Sequence, residues 1–362
     1  MHDFYRDDSG RAVDAKFEAQ RIAFGPMAFQ ASRAMRDLGI LAKVSDSGEA
    51  GVAAAEIATA LELSAYGVGV LLEMGLSLGL VKLAGEDGSE LRFVLGKVGY
   101  FILCDELTKV NMDFVGDVCY EGAAALEESV RAGEPRGLKS FGDWKTIYEG
   151  LSRLPERAKA SWFAFDHHYS DLAFPDALPI VFSRKPGAIF DVGGNTAKWA
   201  LACCRYDPGV RVTIVDLPGQ VAVARGKVRE AGFADRVSFV EQNVLDPRSF
   251  FPSGADAVWM SQFLDCFSLE EVEAILMRLR PSLRPDGDLF VLEPLWDRQR
   301  FEAASYSLHA TSLYFTCMAN GNSKMYRSGE LVAAVERSGY RLEERNDGLG
   351  ANSYSLLRFR TA

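Results

Sequence analysis

The sequence predicts an α/β protein, a Rossmann-like doubly wound sheet with antiparallel C-terminal edge strands, preceded by a mainly helical winged-helix unit. Three observations carry this expectation. From Gly187 onward, short apolar runs of strand length alternate with helical segments, as crossover-connected parallel strands do. The run Phe190-Asp191-Val192-Gly193-Gly194-Asn195-Thr196-Ala197 sets glycines between a strand and a helix, where the chain must turn sharply. Earlier, residues 54–99 read as two short helices followed by a hairpin.

The 362 residues, 48% of them apolar, exceed the roughly 250–300 residues at which a single core stops growing. Two domains are expected. Residues 1–105 form the winged-helix unit, 106–180 a helical region contributing to a substrate pocket, and 181–362 the sheet domain. The formal charge of −10 argues against nucleic acid or an anionic membrane as partner, because both select a basic footprint. The first residues are charged and lack the apolar segment of a secretory signal. No stretch reaches the ~20 apolar residues of a membrane span. The six cysteines form no C-x-x-C pair or His/Cys cluster, which indicates neither zinc nor a disulfide framework. A reduced, cytoplasmic protein is expected.

Taken in order, Ile22, Met27, Phe29, Ala34, Met35, Leu38 and Leu41 recur at helical spacing, with a break at Gly25-Pro26. Residues 54–81 hold two helices joined near Leu63-Ser64, with Ser64 capping the second. The hairpin turns at Gly85-Glu86-Asp87-Gly88. Such a shape invites a DNA-binding reading. Between Val52 and Ala84, however, Lys82 is the one basic residue against Glu56, Glu62 and Glu73, so a recognition helix here could not neutralise phosphates. A dimerisation or lid module fits better. Residues 105–178 read as mostly helical and end in the cluster SWFAFDHHYSDLAF.

In the sheet domain, 188–194, 210–217, 237–244, 255–264 and 287–295 read as strands, separated by helices at 196–206, 218–232 and 268–283. The final stretch, 339–360, reads as two strands around a Gly-rich turn that add an antiparallel pair. At the glycine loop, Asn195 stands where a further glycine is common, and Asn tolerates positive φ. Asp216 ends the next strand, where an acid can take both ribose hydroxyls of a nucleoside. A dinucleotide would call for glycine at 195. Asp191 at the head of the loop suits a cationic amino-acid cofactor better.

With these motifs the chain resembles the class I S-adenosylmethionine-dependent small-molecule O-methyltransferases of plant phenolic and bacterial polyketide pathways. The resemblance runs from the winged-helix unit to YRSGELVAAVERSGY. DVGGNTAKWA is similar to the family's cofactor loop, VTIVDLPGQ to its ribose-binding strand end, and EQNVLDP to its adenine-contacting turn. It implies S-adenosylmethionine as cofactor, S-adenosylhomocysteine as product, a small aromatic substrate and a homodimer formed through the apolar Phe17–Leu41 region. Asp191, Gly193 and Gly194 would lie against the methionine portion, Asp216 on the ribose and Leu217 on the adenine. Asn243 would face the adenine amino group, with Val244 and Ser261 completing that side. Leu217 and Val244 read equally as strand-end core.

Methyl transfer to a phenol needs positioning and removal of a proton. The family's base is a His in a His-Asp-Trp run, and here Asp265, Cys266 and Phe267 take those three places. An unperturbed Asp is a poorer proton acceptor than His by about 2.6 pKa units, or ~3.5 kcal/mol. Glu293 matches the acid that orients that His; two facing carboxylates would share a proton and raise one pKa. Alternatively Glu293 only accepts nearby backbone amides. The family's second acidic helper is replaced by Met325. His167, His168 and His309 are the other candidate bases, His309 lying on a helical face with Tyr306, Leu313 and Thr316. The expected function is O-methylation of a phenol; the alternatives are C-methylation of a phenolic ring, as in aryl-polyene and flexirubin-type pigment pathways, and a silent S-adenosylmethionine-binding scaffold.

Overall fold

The computed structural model describes residue 5, residues 10–84 and residues 90–362. These divide into two compact units, Tyr5–Val115 and Gly116–Ala362. The expected 106–180 region therefore falls with the second unit from Gly116 onward.

In the N-terminal unit, helices Ala12–Ala23 and Gly25–Asp37 are interrupted at Phe24, with Pro26 in the first turn of the second. A proline has no N–H to lose there. Helices Ile40–Asp46, Ala54–Ala60 and Ala65–Leu78 follow. Ser64 caps the last, its Oγ accepting the Gly67 N–H at 3.3 Å, and Gly79 at φ 72° ends it. Three short strands, β1 (Val52–Ala53), β2 (Val81–Leu83) and β3 (Arg92–Leu95), pair antiparallel in the order β1-β3-β2. The predicted hairpin is β2 and β3; its Gly85–Gly88 turn lies outside the described residues. β1 was not anticipated, since a two-residue strand leaves no alternation to read. Met35, Ile40, Leu41, Val44, Ile57, Leu72 and Leu80 form the core of this unit. The helix Ala12–Ala23 buries none of its own residues, and Phe17, Ile22 and Met27 are exposed.

The second unit is built on β4 (Ala188–Val192), β5 (Arg211–Asp216), β6 (Val237–Glu241), β7 (Ala255–Ser261), β8 (Leu283–Glu293), β9 (Tyr340–Leu349) and β10 (Tyr354–Thr361). Their order is β6-β5-β4-β7-β8-β10-β9. The first five are parallel, and the final strand inserts antiparallel between β8 and β9. The antiparallel C-terminal pair is thus as predicted, with β9 at the edge.

Val192, Val215, Val258, Met260, Leu289 and Val291 join Val272, Ile275, Leu276 and Leu331 in one core cluster. Strands buried on both faces explain the near-continuous apolar runs in the sequence. β4 lies beside the reversal of strand order, and in such sheets ligands bind outside the carboxyl ends at that point. Every candidate residue from Asp191 to Glu293 hangs from one of these ends.

Candidate active site

The loop leaving β4 makes three left-handed steps, Gly193 at φ 77°, Asn195 at 46° and Ala197 at 68°. Helix Lys198–Tyr206 begins after them, two residues later than its sequence pattern starts. Gly193 donates its N–H to the Val215 carbonyl at 2.9 Å, which ties the loop to β5. A Cβ at Gly193 would run into the Phe263 ring, and one at Gly194 would sit 2.9 Å from Asp191 Oδ2. Both glycines are therefore required by space, and Gly193 also by its dihedral.

Asp216 braces the loop. Its Oδ2 accepts the Asn195 N–H at 2.8 Å and its Oδ1 the Leu217 N–H at 2.7 Å. Burial raises its pKa while these two bonds pull it down. Asp191 is buried, and its pKa is pushed up to about 8 by desolvation and then by the charge of Asp216. Leu217 is half-buried at the head of helix Pro218–Glu230. Asn243 is exposed, its Oδ1 accepting the Leu245 N–H at 2.9 Å, and Val244 packs in the main core cluster.

Asp265 and Glu293 come together at the ends of β7 and β8. Glu293 Oε1 accepts the N–H groups of Phe263 at 3.1 Å and Leu264 at 2.9 Å, so it holds the short turn Leu264–Cys266. Both carboxyls are buried. Desolvation lifts Asp265 to about 7. Burial, and then the charge of Asp265, lift Glu293 well above the carboxylate range. The charge of Asp265 thus favours the protonated form of Glu293. The sequence alternatives for Glu293 both apply, since it binds backbone amides and faces Asp265.

Two neighbours, Tyr148 and Asp166, escaped the sequence reading. Cys266 Sγ lies 3.5 Å from Asp265 Oδ1, and the Tyr148 hydroxyl hydrogen-bonds the same thiol. Asp166, on helix Glu156–Ser170, accepts from Asn195 Nδ2 at 2.9 Å. Its pKa is raised to about 7 by desolvation, then by Asp265 and Asp171. It stood beside the histidines in SWFAFDHHYS, and an acid in an aromatic helix was the available signal. Among the described residues no His, Cys, Asp and Glu group is arranged to hold a metal ion.

The histidines divide. His167 Nε2 lies 3.4 Å from the Thr196 hydroxyl of the loop, with burial and then Lys198 lowering its pKa. The His168 carbonyl accepts from Asn352. His309 sits against the Trp296 ring, centroids 4.9 Å apart, and burial lowers its pKa. Burial is the largest influence on all three acids; it is followed by the Cys266 hydrogen bond for Asp265 and by the charge of Asp265 for Glu293 and Asp166, and no histidine is among the causes. Met325 is buried and apolar.

Around these strand ends six buried side-chain atoms have no hydrogen-bond partner within the described residues: Asp191 Oδ2, Asn195 Oδ1, Gln242 Nε2, Ser261 Oγ, Gln262 Oε1 and Glu293 Oε2. An unpaired buried polar group costs about 1–3 kcal/mol. The set is rich in acceptors and suits a ligand rich in donors, such as ribose hydroxyls and an amino group. The residues present fit S-adenosylmethionine.

Comparison with known proteins agrees. A profile of the O-methyltransferase domain matches residues 125–341, and one of a Dimerisation2-like domain matches residues 16–88. This chain belongs to the O-methyltransferase family. It is an S-adenosylmethionine-dependent methyltransferase, with S-adenosylhomocysteine as the cofactor product. It is 23% identical over 326 residues to the L-tyrosine C(3)-methyltransferase of Streptomyces lavendulae, covering 89% of this chain and 86% of that one. It is 25% identical over 281 residues to the acetylserotonin O-methyltransferase of Bos taurus, covering 76% and 79%. Among solved structures, the S-adenosylmethionine-dependent methyltransferase SibL in its apo form superposes with a TM-score of 0.71 at 26% identity, covering 94% of this chain and 98% of that chain. Among the described residues, no helix of this methyltransferase is long and apolar enough to cross a membrane.

Proposed function

We propose that this methyltransferase alkylates a small phenolic aromatic, with the Asp265–Glu293 pair accepting the phenol proton. The observation that carries the reading is the elevated proton affinity of Asp265, about 7 where an exposed aspartate would sit near 3.9. That elevation recovers the basicity lost with the family's histidine. A general base works best with a pKa near the operating pH.

S-adenosylmethionine, when bound, supplies an electrophilic methyl on a cationic sulfur. Asp191, Gly193 and Gly194 are assigned to its methionine portion, Asp216 to the ribose hydroxyls and Leu217 to the adenine face. Ser261, with its unpaired buried hydroxyl, is assigned to the same side. Asn243 keeps a free lone pair on Oδ1 for the adenine amino group, because the Leu245 N–H uses only one. Val244 acts through packing behind it.

For the acceptor atom, both the phenol oxygen and the ring carbon beside it are served by this base. One relative matched over most of both chains is named a C(3)-methyltransferase and another an O-methyltransferase. A third carboxylate, Asp166, stands by. In the carbon reading Asp265 takes the O–H proton, and the methyl that the cofactor would supply would go to the adjacent ring carbon, leaving the neutral thioether. The same carbon then gives up its hydrogen to a carboxylate while the oxygen is reprotonated, and one net proton leaves to solvent. In O-methylation the same proton is removed and the phenolate oxygen, rather than the carbon, would take the methyl. The Dimerisation2-like match and the free cysteines support a cytoplasmic homodimer as the working form.

The test is turnover of a panel of simple phenols, tyrosine included, with methyl-deuterated cofactor. A product that gains one methyl, keeps an ionisable phenol and loses one ring hydrogen supports the carbon reading. A product without an ionisable phenol moves the acceptor to oxygen. Absence of any methylated phenol overturns the proposal.

A further inference from the structure

Two amide side chains at the strand ends sit on left-handed backbone, Asn195 at φ 46° and Gln262 at φ 45°. That region suits Asn, whose short side chain bonds locally, and disfavours Gln. Each residue is nevertheless held there. The Asn195 N–H goes to Asp216 Oδ2 at 2.8 Å and the Gln262 N–H to the Leu292 carbonyl at 3.0 Å. Strained residues of this kind cluster at functional sites.

The two follow neighbouring strands. β4 and β7 run parallel with Val192 opposite Met260, so residues 193–195 and 261–263 leave the sheet side by side. The Phe263 ring closes on Gly193, leaving no room for a Cβ there. Asn195 Oδ1 and Gln262 Oε1 are both buried without a hydrogen-bond partner among the described residues. The Asn195 amide is oriented by its other end, because Nδ2 donates to Asp166 at 2.9 Å, which leaves an oxygen that can only accept. A buried acceptor without a donor is costly, so the ligand of this loop must bring the donor. In the proposed placement the ribose hydroxyls go to Asp216 and the adenine amino group to Asn243. What remains is the α-ammonium of the methionine portion, whose three N–H groups call for more than one acceptor.

We propose that Asn195 Oδ1 and Gln262 Oε1 accept the α-ammonium of the cofactor, so that two neutral amides read the amino-acid end of the ligand. Neutral oxygens take a fixed cation without adding another carboxylate beside Asp191, Asp166 and Asp216, and they hold it whatever charge those acids carry. A glycine at 195, common in such loops, would supply the dihedral and no acceptor. The inference rests on the proposed cofactor placement, and not on the choice of base or of methyl acceptor.

The experiment is calorimetric titration of the full chain with S-adenosylhomocysteine and with its desamino analogue, in which hydrogen replaces the α-ammonium and the carboxylate is kept. The unaltered chain should prefer the former by about tenfold or more, as hydrogen bonds to a charged group do. Asn195→Gly and Gln262→Gly both keep the left-handed backbone and its N–H groups, and each should cut that preference by about threefold or more. The preference is a ratio, so a general loosening of the loop cancels from it. Gln262→Met, of similar length without the amide, takes the place of the glycine variant if that one does not melt cooperatively. A preference undiminished in either variant overturns the inference and hands the ammonium to Asp191, and equal binding of both ligands by the unaltered chain overturns it as well. Failure of the unaltered chain to bind either ligand overturns the cofactor placement instead, and failure of the phenol panel overturns the function alone.

Discussion

Glu293 Oε1 accepts the Leu264 N–H at 2.9 Å, which makes the end of β8 the fastener of the turn that carries Asp265. An acid without a hydrogen-bonding histidine thus has its backbone fixed by a second acid, and burial of both supplies the proton affinity.

If Asp265 takes the substrate proton, Asp265→Asn should slow turnover by about 10²–10⁴ with little change in cofactor affinity. Steady-state rates on whichever phenol is methylated give the answer. A loss under threefold would move the role to His167, His168 or His309.

Glu293→Gln keeps an oxygen for the Phe263 and Leu264 amides and removes the carboxyl on which the charge of Asp265 presses. The acidic limb of the pH–rate profile, set by Asp265, should stay in place, because Glu293 is the acid that keeps its proton when Asp265 is charged. An acidic limb that moves by more than about one pH unit contradicts this order of ionisation.

Stability without ligand should fall as pH rises from about 5 to 8. Asp166 and Asp265 titrate at about 7 and Asp191 at about 8 in the folded chain, against about 3.9 when unfolded. The folded state thus binds more protons across that window. Its advantage, complete below the unfolded pKa, is lost as pH passes the folded values, by at most about 1.4 kcal/mol per pH unit for each group. Denaturant melts at several pH values test this, and a midpoint that rises over the window would contradict it.

Much of this was legible in the sequence. The five parallel strands, the glycine loop and the positive φ of Asn195 follow from local residue types, and the Asp265–Glu293 pairing from the family resemblance. Asp166 and the Tyr148–Cys266 contact did not appear, because a pKa raised by burial is a property of three-dimensional neighbours. Helix Glu156–Ser170 reaches the strand ends only through tertiary packing, and its histidines drew attention from the acid beside them. β1, two residues long, is defined by its partner β3 alone.

Gly193→Ala should cost about 1–3 kcal/mol from the left-handed dihedral alone, with more from overlap with Phe263. Thermal melting should fall by several degrees, and cofactor affinity should weaken at least tenfold. Unchanged affinity would mean that the loop does not line the cofactor.

Asp216→Ala should abolish binding of S-adenosylmethionine, since it removes the brace on Asn195 and the assigned ribose acceptor together. Calorimetry on a variant that still melts cooperatively separates lost binding from lost fold, and near-wild-type affinity would contradict the assignment.

A crystal structure with S-adenosylhomocysteine bound tests the central claim most directly. The account predicts ribose hydroxyls on Asp216 and the thioether sulfur facing the pocket bounded by Asp265 and Asp166. A ligand seated away from the Gly193 loop, or a sulfur pointing away from both carboxyls, would contradict it.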